Sequence, residues 1–118
     1  HMVIATLHAG SCKGVVERLI DMCGDKFAVL SSADLILNQR LVRKRCRDCQ
    51  GKGCPACLGT GYKGRTPVIE MLELDDDLRD RIRKEGTGIL SNPGALRQDA
   101  RSLVEAGITD TAEIERLI

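Results

Sequence analysis

The residues best able to do chemistry in this 118-residue chain are its six cysteines and two histidines. Four of the cysteines form two pairs, Cys46-Arg47-Asp48-Cys49 and Cys54-Pro55-Ala56-Cys57. Two CxxC pairs this close bring four thiolates within reach of one ion, and all-sulfur tetrahedral coordination is the form of a structural zinc site. One zinc on Cys46, Cys49, Cys54 and Cys57 is therefore expected. Four protein ligands fill its coordination sphere, so the metal would hold structure and leave no open position for water or substrate. Each pair also begins a CxxCxGxG repeat, first over 46–53 and then over 54–61. The glycines admit the positive φ values needed where backbone amides fold around sulfur. Two disulfides are the other possible arrangement, suited to a small secreted protein, but the sequence shows no signal-peptide pattern and has enough apolar residues for a core. Cys12 and Cys23 lie outside the motif and read as free, buried thiols.

The rest of the composition says what must position these residues. Phe27 and Tyr62 are the sole aromatics, so the core is expected to consist of Leu, Ile, Val and Met. A chain of this length buries roughly 65% of its unfolded surface, and a core without large anchors gains from a metal that folds its own ligand loop. Eighteen basic against seventeen acidic residues leave a net charge of +1, which recommends neither nucleic acid nor anionic lipid as a partner. The basic stretch Arg40, Arg43, Lys44, Arg45 and Arg47 could neutralise phosphates, as in an RNA-binding zinc ribbon. Without stacking aromatics it reads better as a solvated strand face or a subunit interface. No apolar run reaches the length of a membrane span, and thiols in a metal motif point to the cytoplasm.

Along the chain, His1-Met2 reads as an expression scar. Val3-Ile4-Ala5-Thr6-Leu7 has the pattern of a core strand leading into His8, as though the chain begins mid-domain. Ser11 can cap a helix to about Met22, stopped by Gly24. A second helix is expected over 25–38, with Phe27, Leu30, Ala33, Leu35 and Leu37 inward. Strands are expected at 40–45 and 66–74, pairing as a hairpin with the metal at its tip. Asp75-Asp76-Asp77 starts a helix to about Lys84, and Asn92-Pro93 opens another that runs over 95–106 to Gly107. Asp110 with Glu113 matches a capping box for a last helix.

Several of these segments, taken in order, resemble the C-terminal part of the type II secretion and type IV pilus assembly ATPases, the protein E family. Ala5-Thr6-Leu7-His8 is similar to the family's histidine box, and Gln39-Arg40-Leu41-Val42-Arg43 to the stretch before its cysteines. The run from Cys54 through Thr66, continued by Ile69-Glu70-Met71-Leu72, resembles its most recognisable segment. Leu96-Arg97-Gln98-Asp99-Ala100 and Ala106-Gly107-Ile108-Thr109 are similar to its end. Two departures stand out: the family usually has a much longer insertion between its cysteine pairs, and Ala9-Gly10 replace Thr-Asn after the histidine.

The resemblance implies a mainly helical α/β fold, the C-terminal part of a RecA-like ATPase. Residues 3–40 would end the ATPase core, 41–74 would form a zinc-binding hairpin and 75–118 a helical subdomain. By residue type His8 is an ordinary polar residue at a strand end. The resemblance makes it a sensor of the terminal phosphate of ATP in the intact enzyme. No GxxxxGK[ST] phosphate loop occurs in the sequence, so ATP and Mg2+ would be bound only by the intact parent, and the fragment alone is expected to be inactive and a monomer or weak dimer. The parent would be a homohexamer at the cytoplasmic face of the inner membrane, partnered by a membrane platform protein, powering secretion, pilus or competence pseudopilus assembly. The competing class is a zinc-binding chaperone or adaptor, because the doubled CxxCxGxG also resembles the cysteine-rich region of J-domain co-chaperones.

Overall fold

A computed structural model of the chain describes residues 1–91 and 94–117. It divides into two compact units, His1–Asn38 with Glu70–Asn92, and Gln39–Ile69 with Pro93–Ile118. Two long strands, β1 (Leu35–Arg45) and β2 (Tyr62–Glu73), pair as a two-stranded sheet, and each contributes residues to both units. The Leu74 N–H donates to Asp34 O at one end and the Cys46 N–H to Gly61 O at the other, which sets an antiparallel register.

In the first unit, α1 (Cys12–Cys23) starts where the Ser11 hydroxyl accepts the Gly14 N–H and ends at Gly24, left-handed at φ 68°. Asp25 caps the short α2 (Lys26–Ser32), and Asp75 caps α3 (Asp76–Glu85). Cys12, Val16, Leu30, Ile36, Leu74, Ile82 and Leu90 form the core of this unit. It is aliphatic, as the composition requires.

Three expectations for this unit need correction. The helix expected over 25–38 stops at Ser32, where the Ser31 and Ser32 hydroxyls turn back to the carbonyls of Phe27 and Ala28. From Leu35 the chain is strand, with Ile36 and Asn38 buried and Leu35 and Leu37 exposed. Period-two alternation had the apolar count of a helix face over so short a run. Phe27 is also exposed, with the Arg83 guanidinium 5.8 Å from its ring centre. The strand expected at 3–7 is absent: residues 1–9 carry no regular structure, and Val3 and Ile4 are 83% and 84% exposed. A strand needs a neighbour for its backbone donors and acceptors, and the sheet holds only β1 and β2 among the described residues. Cys12 is a buried free thiol, but Cys23 is exposed.

In the second unit, Val42, Val68, Ala100 and Ile114 form the core, flanked by Leu96, Leu103, Val104 and Leu117. Helix α4 (Ala95–Glu105) precedes Gly107, left-handed at φ 69°. The opening expected at Asn92-Pro93 lies outside the described residues. Helix α5 (Thr111–Leu117) follows, and the Asp110 carboxylate accepts the Glu113 N–H at 3.0 Å. The second half of the expected capping box is replaced, because Glu113 turns to Arg43 and Arg116 instead.

Candidate metal centre

The four cysteines sit at the turn between β1 and β2, where Arg45 and Tyr62 end the strand ladder. Cys46 and Cys57 are buried, and Cys49 and Cys54 are partly so. Their sulfurs all lie within 4.8 Å of one another, with Cys46 to Cys54 at 3.9 Å, Cys49 to Cys57 at 3.8 Å and Cys54 to Cys57 at 3.7 Å. Zinc–thiolate bonds of about 2.3 Å in a tetrahedron place the sulfurs about 3.8 Å apart. The observed spacings match that figure and are far longer than a disulfide bond. The donor set therefore fits one tetrahedral zinc.

The loop reaches this geometry by folding twice in the same way. After Cys49, Gln50, Gly51 and Gly53 take φ of 50°, 88° and 92°; after Cys57, Leu58, Gly59 and Gly61 take 54°, 76° and 77°. In each half the amide four residues past a cysteine turns onto its sulfur, Gly53 N–H onto Cys49 Sγ at 3.2 Å and Gly61 N–H onto Cys57 Sγ at 3.3 Å. Cys57 also accepts the Cys54 N–H at 3.2 Å. Such donors offset thiolate charge where water is scarce. Desolvation pushes the Cys54 thiol up to about 11, while at Cys57 it is outweighed by the Cys54 and Gly61 N–H groups, which bring that thiol down to about 6.

Below the loop, a polar cluster unites residues far apart in sequence. Glu113, 1% exposed, accepts the Arg43 backbone N–H at 2.9 Å, the Arg43 guanidinium at 2.6 and 2.8 Å, and the Arg116 guanidinium at 2.8 and 3.0 Å. Hydrogen bonds from Arg116, and then from Arg43, overcome desolvation and hold its carboxyl down at about 2. The Arg43 guanidinium lies 4.1 Å from the Tyr62 ring centre, and the Tyr62 hydroxyl donates to Asp110 at 2.8–2.9 Å. Arg43 is thus partnered within the fold while its guanidinium stays partly in water. Nothing local in the sequence marks the Arg43–Glu113 pair, whose members are 70 residues apart.

His8 belongs to the first unit and takes no part in the sulfur cluster. Its side chain is exposed, and its carbonyl accepts the Arg18 guanidinium at 3.3 Å.

The family model for type II/IV secretion system proteins matches residues 1–116. The chain belongs to this family. It is 35% identical to the type II secretion system protein HxcR of Pseudomonas aeruginosa, covering 99% of this chain and 28% of that protein. It is 32% identical to the type II secretion system ATPase E of Vibrio cholerae, over 99% of the chain and 29% of the relative. With the type IV pilus assembly ATPase PilB of Thermus thermophilus it shares 30% identity, over 92% and 15%. The chain therefore spans under a third of the length of these relatives. In solved structures the fold resembles the Legionella pneumophila ATPase DotB, with a TM-score of 0.63 at 20% identity over 92% of this chain and 29% of that one. The first two sequence matches run over 133 and 148 residues against a chain of 118, so those relatives carry extra residues within the matched region. A family match across nearly the whole chain does not favour the J-domain reading. Among the described residues, no helix is long and apolar enough to cross a membrane.

Proposed function

We propose that this chain is the C-terminal zinc-binding region of a hexameric motor ATPase that powers type II secretion, type IV pilus or competence pseudopilus assembly. The observation that carries the reading is the four-sulfur cluster within a chain whose family match runs from residue 1 to 116. Residues 3–40 end a RecA-like core, 41–74 form the zinc hairpin, and 75–118 form a helical subdomain. The extra residues in the relatives are consistent with a shortened loop between the cysteine pairs. Bound zinc closes that loop and supplies no catalytic position, because all four ligands come from the protein.

ATP and Mg2+ belong to the intact parent, since the chain has no phosphate loop of its own. There His8 contacts the terminal phosphate through its exposed imidazole. The parent works as a homohexamer, peripheral to the cytoplasmic face of the inner membrane, with a membrane platform protein as partner. The test is turnover of the full-length protein carrying His8→Ala at saturating ATP. A contact confined to the terminal phosphate serves the transition state more than adenosine binding, so kcat should fall more than nucleotide affinity. Unchanged kcat removes the reading of His8.

A further inference from the structure

The turn that follows His8, Gly10–Cys12, is tied down by two buried polar side chains that the zinc site does not use. Asn38 of β1 and Glu70 of β2 are each 7% exposed. The Asn38 amide donates to Gly10 O at 3.2 Å and to Glu70 Oε2 at 2.9 Å. The same Glu70 oxygen accepts the Cys12 N–H, first in α1, at 3.0 Å. The Cys12 thiol donates to the carbonyls of Glu70 at 3.4 Å and Ile36 at 3.6 Å. Burial, and then the Glu70 charge, push that thiol up to about 11, so it stays a neutral donor.

Helix α1 does not need this cluster as a cap, because the Ser11 hydroxyl already takes the Gly14 N–H at 3.1 Å. Among the described residues no Lys or Arg forms an ion pair with Glu70. Its charge is met by an amide side chain and the positive end of a 12-residue helix. Burying a carboxylate on such terms costs free energy that apolar side chains would not, and what a satisfied buried network provides in return is one fixed arrangement. The arrangement fixed here is the turn Gly10–Cys12. Two residues upstream, His8 O is held by Arg18. The imidazole therefore leaves a segment held at His8 itself and at the turn that follows it.

We propose that Asn38 and Glu70 are positioning residues for His8, holding the turn that follows it against the two strands so that the imidazole meets the terminal phosphate. This rests on the reading of His8 given above. The experiment is a double-mutant cycle in the full-length protein, with His8→Ala, Glu70→Gln and the pair, following kcat and KM for ATP. Glu70→Gln keeps shape while removing charge, and Asn38→Ser removes the bridge to Gly10 while leaving the carboxylate in place. Misplacing a reacting group by a fraction of an ångström to 1 Å costs about ten- to a hundredfold. Each single variant should lower kcat about tenfold or more with little change in KM, and neither should lower it further once His8 is Ala. Losses that multiply in the His8→Ala background, or wild-type kcat in both Glu70→Gln and Asn38→Ser, overturn the positioning role. If His8→Ala alone leaves kcat unchanged, the reading of His8 fails and this one falls with it. If His8→Ala lowers kcat while Glu70→Gln and Asn38→Ser do not, only this inference fails.

Discussion

Gly61 packs against the backbone carbonyl of Gly51 so closely that a methyl group on its Cα would lie well inside contact distance of the Gly51 oxygen. The pseudo-equivalent pair is also too close for a side chain, though less so, since a Cβ on Gly53 would stand 2.7 Å from Gly59 O. The two halves of the metal loop lock into each other backbone to backbone, with no side chain able to yield. Gly59 is the internal control: it has φ 76°, but open space where its Cβ would go. Gly59→Ala should cost only the strain of a left-handed residue, about 1–2 kcal/mol. Gly61→Ala and Gly53→Ala add a steric clash and move an amide off its sulfur. Zinc competition against a chromogenic chelator should rank both well below Gly59→Ala, and equal affinities for the three would contradict the packing described.

Metal content is the second expectation. The purified chain should hold one zinc, and Cys49→Ser should lose it along with order in the loop, since ligation of this kind is worth about 10–16 kcal/mol in zinc-finger peptides. Cys23→Ser and Cys12→Ser should leave the stoichiometry at one, because neither sulfur belongs to the cluster. Elemental analysis of the four proteins decides it. Two zincs per chain, or loss in the Cys23 variant, would displace the assignment.

What could be read from the sequence follows the range of the interactions involved. The four-cysteine cluster was legible because its sulfurs, glycines and turns all lie within 46–61, where spacing alone dictates geometry. The Ser11 cap and the helix start at Asp75-Asp76-Asp77 were legible for the same reason. The helix expected to run through Leu35 and Leu37 failed because a few apolar residues satisfy either period, and only pairing of β1 with β2 decides between them. Glu113 signalled a capping box, and its Asp110 half formed; the glutamate itself was drawn away by Arg43, a partner no local pattern announces. The Asn38–Glu70–Cys12 network joins residues 32 and 58 positions apart and was invisible for that reason.

Isolated from its parent, the chain should not hydrolyse ATP. Phosphoryl transfer requires a phosphate cradle, a lysine and a magnesium ligand to offset charge on the transferring group, and the sequence has none in a recognisable motif. A coupled assay with Mg2+ and ATP should read background, and light scattering should give a monomer or weak dimer. Turnover above background that scales with chain concentration, or a stable hexamer, would show that more of the motor resides here than proposed.

The last expectation concerns acid. Glu113 is held at about 2 against an ordinary 4.5, so the folded state binds its proton less readily than the unfolded one. A depressed carboxyl contributes stability that is fully present above the unfolded value and disappears as pH falls through the folded one. The window here therefore runs from about pH 4.5 down to about 2. At about 1.4 kcal/mol per pKa unit the shift corresponds to about 3 kcal/mol. Both guanidiniums are partly in water, 41% and 52% exposed, and screening reduces the figure to about 2 kcal/mol. Acid also strips zinc from thiolates, so the measurement must be a difference. Urea unfolding of wild type and Glu113→Gln, both without zinc below pH 4.5, should show a gap of about 2 kcal/mol at neutral pH. That gap should close progressively between about pH 4.5 and 2. A gap that stays constant across the window would mean that Glu113 contributes through packing and not through its charge.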